Sequence, residues 1–334
     1  MKKIIPESVD RRMLILIGIF IISLSLLQPW VRGDGIHYYA YIRSLVIDGD
    51  LRFENEFKDA VEFNKFPPPV LRGIKEYKPT GSIGVAEALL PLTKTGYTRN
   101  QAPVGAPLLW SPFFLLAHLL VIILNRIGIG IPADGYSFPY IFLVSIGSCL
   151  YGFIGLILGY KICRRYFSGA ISLYATASIW WASSIPAYMY GHPLLSHTAS
   201  VFCVSLLIFL FLRIQDRPSS IRWLGLGFVA GLAIIVRIQD ALFLLIPLTE
   251  LLRQDYRAIK HRITPGILKI ASKNILFLTG FLFGILPQLI VGKVIYGVYT
   301  LDFYRATQKE FAFNWFSPPI FRVLFSSWHG LFSW

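Results

Sequence analysis

The chain has 334 residues, of which 55% are hydrophobic, and its mean hydropathy is +0.59. Only 15% are charged, against about a quarter in a soluble domain, which excludes an ordinary soluble fold. The net charge of +14 would suit a nucleic-acid binder, but the basic residues gather between apolar runs and no nucleic-acid motif accompanies them.

Several nearly uncharged runs are long enough to cross a membrane, and they predict an all-α, polytopic helical bundle forming one domain over residues 1–334. Lys2, Lys3, Arg11 and Arg12 precede the first run and set the N-terminus in the cytoplasm. No small-residue cleavage site follows, so about 13–31 is an uncleaved first span rather than a signal peptide. Residues 32–104 then form a long first extracytoplasmic loop. It holds nine of the 18 acidic residues and ten basic ones, so it is near neutral, unlike the basic stretches. Pro67, Pro68, Pro69 and Gly81 break it into short pieces. Residues 37–47 predict a helix with Tyr38, Ile42 and Leu45 on one face, lying on the membrane surface.

The apolar run from Phe113 to Leu124, with Pro112 before it and His118 inside it, is short for a span. If residues 106–131 crossed, every later basic stretch would fall outside, so they are read as non-crossing. The next span, about 136–160, ends on Lys161, Arg164 and Arg165. Spans follow at about 169–188 and 197–213, the second returning to Arg213, Arg217 and Arg222. Residues 223–252 read as a hairpin, or two short spans, entering from and returning to the cytoplasm with Arg237-Ile238-Gln239-Asp240 at the tip. Residues 253–273 are the most basic stretch, about 274–292 the last span, and 296–334 an aromatic-rich outer segment. The apolar stop at Trp334 reads as a truncated chain whose next residues would enter another span. Cys149, Cys163 and Cys203 lie in apolar segments without metal-ligand spacing and read as small buried hydrophobes.

The candidate residues each carry two readings. Asp34, between Gly33 and Gly35 where the first span meets water, is a general base or metal ligand, or else a solvated turn residue. His192 and His197 flank a helix entrance, as substrate or metal ligands or as interface aromatics. Arg237 and Asp240 sit in an apolar hairpin. An intramembrane charge is a functional candidate by default, so Arg237 either holds a lipid phosphate or pairs internally with Asp240. Tyr38, Tyr39, His37 and Arg43 surround Asp34 in sequence, and Arg43 faces either a cleft or solvent. Asp48, Asp50 and Lys78-Pro79-Thr80-Gly81 read as turns. Gln101, in Gln101-Ala102-Pro103-Val104-Gly105, reads first as turn chemistry. Trp315, Trp328 and His329 read as interface anchors.

Gly33-Asp34 after the first span, Arg43-Ser44-Leu45, Asp48-Gly49-Asp50-Leu51, the Gln101 to Leu109 stretch, the Tyr188 to His197 loop and the Arg237 hairpin together resemble the GT-C-type integral-membrane glycosyltransferases, the superfamily of aminoarabinose and protein mannosyl transferases. The resemblance implies a GT-C-like bundle in the inner membrane with juxtamembrane helices in its first outer loop. It implies inverting transfer, on the extracytoplasmic side, from a polyprenyl-phosphate-linked sugar to a glycan, lipid or protein acceptor. Asp34 is then the base or a metal ligand, with a divalent metal ion as an optional cofactor, and Arg43, Tyr39, His192, His197, Arg237 and Asp240 line the substrate site. Many relatives have Asp-Glu where this chain has Asp34-Gly35, and an acidic residue where it has His197. The rival reading is a transporter or flippase of lipid-linked glycans with Arg237 and Asp240 in its path. Such proteins often show inverted repeats, and no second-half copy is seen here. A third reading is a non-catalytic assembly subunit.

Overall fold

The computed structural model describes residues 10–57, 92–260, 264–303 and 319–327. Those residues form helices and turns, with no strand among them. Trp315, Trp328, His329, Pro67 to Pro69 and the Lys78 to Gly81 turn lie outside the described residues.

Helix α1 (Arg11–Ser23) is N-capped by Asp10, which accepts from the Met13 N–H at 2.9 Å. It is shorter than the expected 13–31 span. The Ser23 hydroxyl turns back to the Phe20 carbonyl and meets the Tyr190 hydroxyl at 2.6 Å, and one tight turn over Leu24–Leu26 follows. The chain then runs on irregularly, with the Gln28 N–H bonded to the Tyr190 carbonyl and Trp30 Nε1 to the Gly191 carbonyl.

Helix α2 (Gly35–Arg43) continues into a wider π-helical turn over Ser44–Asp48. The sequence predicted a surface helix here, but every residue of α2 is buried. The correction has a physical cause. Its four aromatic side chains point round the helix and each finds a wall. Tyr38 meets Trp110, Tyr39 meets Phe114, Tyr41 meets Phe53, and His37 meets Phe57.

The remaining helices are α3 (Gly105–Arg126), α4 (Phe138–Arg164), α5 (Gly169–Trp181), α6 (His197–Asp216), α7 (Ile221–Val236), α8 (Leu245–Lys260), α9 (Thr264–Tyr296) and α10 (Ile320–Phe325). By length and composition α3, α4, α6 and the Ala271–Tyr296 part of α9 are able to cross a membrane. The 16-residue α7 is apolar and about 24 Å long.

Side-chain contacts fix the directions. Tyr160 donates to Asp10 and Phe20 stacks on Phe153, so α1 and α4 are antiparallel. Ser148, in the first half of α4, meets Thr198 at the start of α6, and Arg165 pairs with Asp216 at 2.8 Å at their ends, so α4 and α6 are parallel. One end of the bundle thus collects Arg164, Arg165, Arg213 and Arg217, while the other carries Asp34, Ser196, His197 and Arg237. We call these the basic end and the site end.

At 22 residues, α3 is longer than its twelve-residue apolar run implied. Its direction nevertheless keeps it at the site end. Phe113 packs on Gly147 and His118 bonds Tyr140 at 2.6 Å, so α3 moves away from the basic end as it proceeds. Both flanks are also tied to α2. Asn100 bonds the His37 carbonyl and Tyr41 the Ala102 carbonyl, while Tyr39 bonds the Gly135 carbonyl and Arg43 the Asp134 carbonyl. Leu115, Leu116, Leu119 and Ile123 form an exposed apolar face, as expected of a helix lying against lipid.

The tightest helix pair is α7 with α9. Gly227 and Gly231 face Gly280 and Gly284, four residues apart on each helix. A Cβ at Gly227 would fall on the Phe277 carbonyl, and one at Gly284 on the Phe228 carbonyl. Small residues at this spacing let backbones touch where lipid gives no hydrophobic drive. Gly227→Ala and Gly284→Ala are expected to destabilise the protein by about 1–3 kcal/mol. Gly225→Ala, which meets nothing within 4 Å, should stay within about 1 kcal/mol of wild type. Unfolding of the three variants in one detergent checks this, and a Gly284→Ala protein as stable as Gly225→Ala would contradict the backbone contact.

Candidate functional site

A cavity of about 470 Å³ opens at the site end, where five helix ends meet. Asp34 enters it from the start of α2. Gly33 adopts φ +56°, a left-handed turn that suits glycine. Asp34 stands at the N-cap position, yet its side chain accepts no hydrogen bond from the helix it begins. An N-cap aspartate ordinarily satisfies the first-turn N–H groups. Here the carboxylate is exposed and borders the cavity instead. Position 35 is tight, because a Cβ there would meet the Leu194 carbonyl oxygen at 3.0 Å. A side chain beside Asp34 would thus crowd the Leu194 backbone.

The opposite wall is basic. Residue 237 leaves the α7 helix in extended geometry, φ −151° and ψ 124°. Arg237 Nη1 donates to His197 Nε2 at 3.1 Å and to Ser196 Oγ at 3.4 Å. Accepting at Nε2 places the imidazole proton on Nδ1. Tyr188 stacks flat on His197, centroids 3.7 Å apart, and Ser196 donates to the Tyr38 hydroxyl at 3.0 Å. Arg237 is thereby oriented through Nη1, and its Nε and Nη2 have no hydrogen-bond partner among the described residues. That geometry suits an oxyanion held by two parallel N–H groups.

Of the residues singled out in the sequence, Asp34, Tyr38, His197 and Arg237 line this cavity together. Tyr39, Arg43, His192 and Asp240 do not. Tyr39 is 1% exposed and donates to the Gly135 carbonyl at 2.6 Å, holding α2 to the segment before α4. Arg43 is buried and bonds the Asp134 carbonyl at 3.1 Å, Glu56 at 2.9 Å and Asp48. It faces neither a cleft nor solvent. His192 lies against Arg32, whose Nε donates to its Nδ1 at 3.1 Å. Burial and the Arg32 charge hold that imidazole below its usual pKa. Asp240 does not pair with Arg237. It accepts from Ser200 at 2.7 Å and borders a second, more apolar cavity of about 370 Å³.

Other residues join the site that sequence reasoning ranked low or passed over. Gln101 borders the cavity before α3, and Ser196, Gln239 and Asp302 border it from other elements. A polar residue just outside an apolar run was the available signal for each. Among the described residues, no group of three or more His, Cys, Asp or Glu converges. Asp34 is therefore not a member of such a group among the described residues.

Arg43 carries two buried or half-buried carboxylates at once, Asp48 and Glu56. Burial raises the Glu56 carboxyl to about 7, against the hydrogen bond from Arg43.

Residues 140–290 match the family model described as dolichyl-phosphate-mannose-protein mannosyltransferase, a GT-C-type glycosyltransferase domain. The match spans just under half of the chain and bears out the resemblance read from the sequence. It includes Ser196, His197 and Arg237, while Asp34 and Asp302 lie outside it. No curated protein and no solved structure matches the chain. With its long apolar helices, the family match supports a membrane glycosyltransferase with a lipid-linked sugar donor.

The Glu56 shift has a defined sign. The folded carboxyl keeps its proton to about pH 7, while an unfolded one releases it near pH 4.5. Stability should therefore fall as pH rises through that window and level off above it. Glu56→Gln should flatten the slope. Melting temperatures of both proteins between pH 4.5 and 8 check this, and parallel profiles would refute it.

Proposed function

We propose that the cavity transfers a sugar from a polyprenyl-phosphate lipid to an acceptor hydroxyl on the extracytoplasmic side of the inner membrane, with inversion. The observation that carries this reading is the pairing of Asp34, a carboxylate that caps no helix, with Arg237, a guanidinium oriented through one nitrogen only, in a single cavity. Orientation of the site end towards the outside is supported by the basic residues at the other end of the bundle.

Arg237 holds the donor phosphate through Nε and Nη2. Asp34 takes the proton from the acceptor hydroxyl as its oxygen attacks the anomeric carbon. The new C–O bond forms opposite the bond to phosphate, which breaks with its electron pair leaving on the phosphate oxygen. Arg237 balances the charge that grows there, an interaction stronger in the transition state than in the ground state. Phosphate already leaves as an anion, so one carboxylate suffices, whereas hydrolysis of a sugar ether needs a second carboxyl as acid. His197 and Ser196 keep Arg237 aimed.

Asp34→Asn should lower transfer by about 10²–10⁴-fold at unchanged expression. Arg237→Lys keeps the charge but loses the two-pronged geometry, and should lower transfer by at least about tenfold. The measurement is transfer in membranes from a panel of polyprenyl-phosphate sugars. Equal transfer by wild type and Asp34→Asn would remove Asp34 from this role. Absence of transfer by the wild type, with lipid-linked glycan moved across vesicles instead, would favour a flippase.

A further inference from the structure

Residues 100–104, just before α3, are held by three helices. Asn100 is fully buried. Its Nδ2 donates to the His37 carbonyl at 2.9 Å and its Oδ1 accepts from the Ala102 N–H at 3.0 Å, so one amide closes a turn and fastens it to α2. The Tyr296 hydroxyl of α9 serves the same backbone twice. It accepts from the Asn100 N–H at 3.1 Å and donates to the Asn100 carbonyl at 2.7 Å. The Ala102 carbonyl accepts from Tyr41 at 3.0 Å, and the Val104 N–H donates to Oε1 of the buried Gln288 at 2.9 Å. Gly105 then packs on the end of α7, where a Cβ would fall 2.5 Å from the Val236 nitrogen. The segment therefore bridges the helix that Asp34 begins and the helix that Arg237 follows.

Within this frame Gln101 stands apart. Asn100 and Ala102 on either side are buried and bonded, whereas Gln101 is half-buried and borders the cavity. Its amide has no hydrogen-bond partner among the described residues. Other polar groups of the lining already have work. Asp34 takes the acceptor proton and Arg237 the phosphate, while Ser196, His197 and Tyr38 form the network that orients Arg237. Gln239, a second amide on the lining, is exposed and follows Arg237.

A sugar placed between Asp34 and Arg237 lies against the wall that joins them. A carboxamide offers two N–H donors and an accepting oxygen without charge. It matches hydroxyls, which both donate and accept, and it neither repels the phosphate nor competes with it for Arg237. We propose that Gln101 is a specificity-determining residue whose amide bonds the hydroxyls of the transferred sugar. This assignment rests on the proposed lipid-linked donor and names the group that recognises its sugar. The frame around Gln101 is fixed before substrate arrives, so little ordering remains to be done on binding. Arg237 reads the phosphate common to all such lipids, and Gln101 reads what distinguishes them.

The test is binding of lipids to the purified full chain in nanodiscs. The probes are bare polyprenyl phosphate and a panel of polyprenyl-phosphate sugars. Wild type should bind at least one glycosylated lipid about tenfold or more tightly than the bare lipid. Gln101→Met, which keeps the side-chain length without the amide, and Gln101→Ala should lose most of that preference. Their affinity for the bare lipid should stay within about twofold of wild type, and Arg237→Ala should weaken both lipids alike. The ratio between the two lipids is the readout, since a general loss of structure would move both affinities together. Melting of each variant verifies the fold, and Gln101→Met covers the case in which the alanine does not fold. A preference retained in Gln101→Met, with or without loss of transfer, overturns the assignment while leaving the donor reading intact. Equal weakening of both lipids in that variant would put Gln101 on the phosphate and also overturn it, as would equal binding of both lipids by wild type. Wild type binding no lipid of the panel overturns both readings.

Discussion

An arginine at the end of an apolar helix must find acceptors, and the site end is built around how Arg237 finds them. Its Nη1 is taken by His197 and Ser196. That choice leaves the rest of the fork directed elsewhere and leaves Asp240 to Ser200. Backbone within lipid must satisfy itself inside a helix, so irregular chain is tolerated only where it lines a cavity. The polar cavity residues obey that rule. Asp34 begins α2, His197 begins α6, Arg237 follows α7, Gln101 precedes α3 and Asp302 follows α9.

Cavity shape depends on two buried supports that contribute no chemistry. One is α2, whose aromatic side chains are walled in on all sides, so that Asp34 begins a helix that cannot tilt freely. Tyr39 and Arg43 serve this support, and their place is opposite in role to that of Asp34, although they lie within nine residues of it. The other support is the glycine contact between α7 and α9. It brings the Arg237 end of one helix beside Gln288 of the other, and through Gln288 beside residues 101–104 and 301–303.

The family match covers the wall that carries Ser196, His197 and Arg237, and ends before the return segment with Asp302. The basic wall of the cavity thus lies within the matched region. The carboxylate-bearing walls, with Asp34 and Asp302, come from residues outside the match.

Membrane class and helical architecture were legible in the chain itself, and so were Asp34, His197 and Arg237 as polar candidates, which the fold brings to one cavity. Each depends on local quantities: the length of an apolar run, the charge at its flank, and a polar group where none is expected. What sequence order was unable to separate was which polar neighbours share a cavity. Tyr39, Arg43, His192 and Asp240 stand as near to Asp34, His197 and Arg237 in the chain as the other lining groups do, yet they find partners elsewhere. A helical side chain moves about 100° per residue, so Tyr38 borders the cavity and Tyr39 does not. Asp302 shows the converse. It lies far along the chain from Asp34, and the packing of α9 against α7, with the chain folding back after Gly297, brings it to the same cavity. Local pattern decides where a polar residue is affordable, and tertiary packing decides which of them meet.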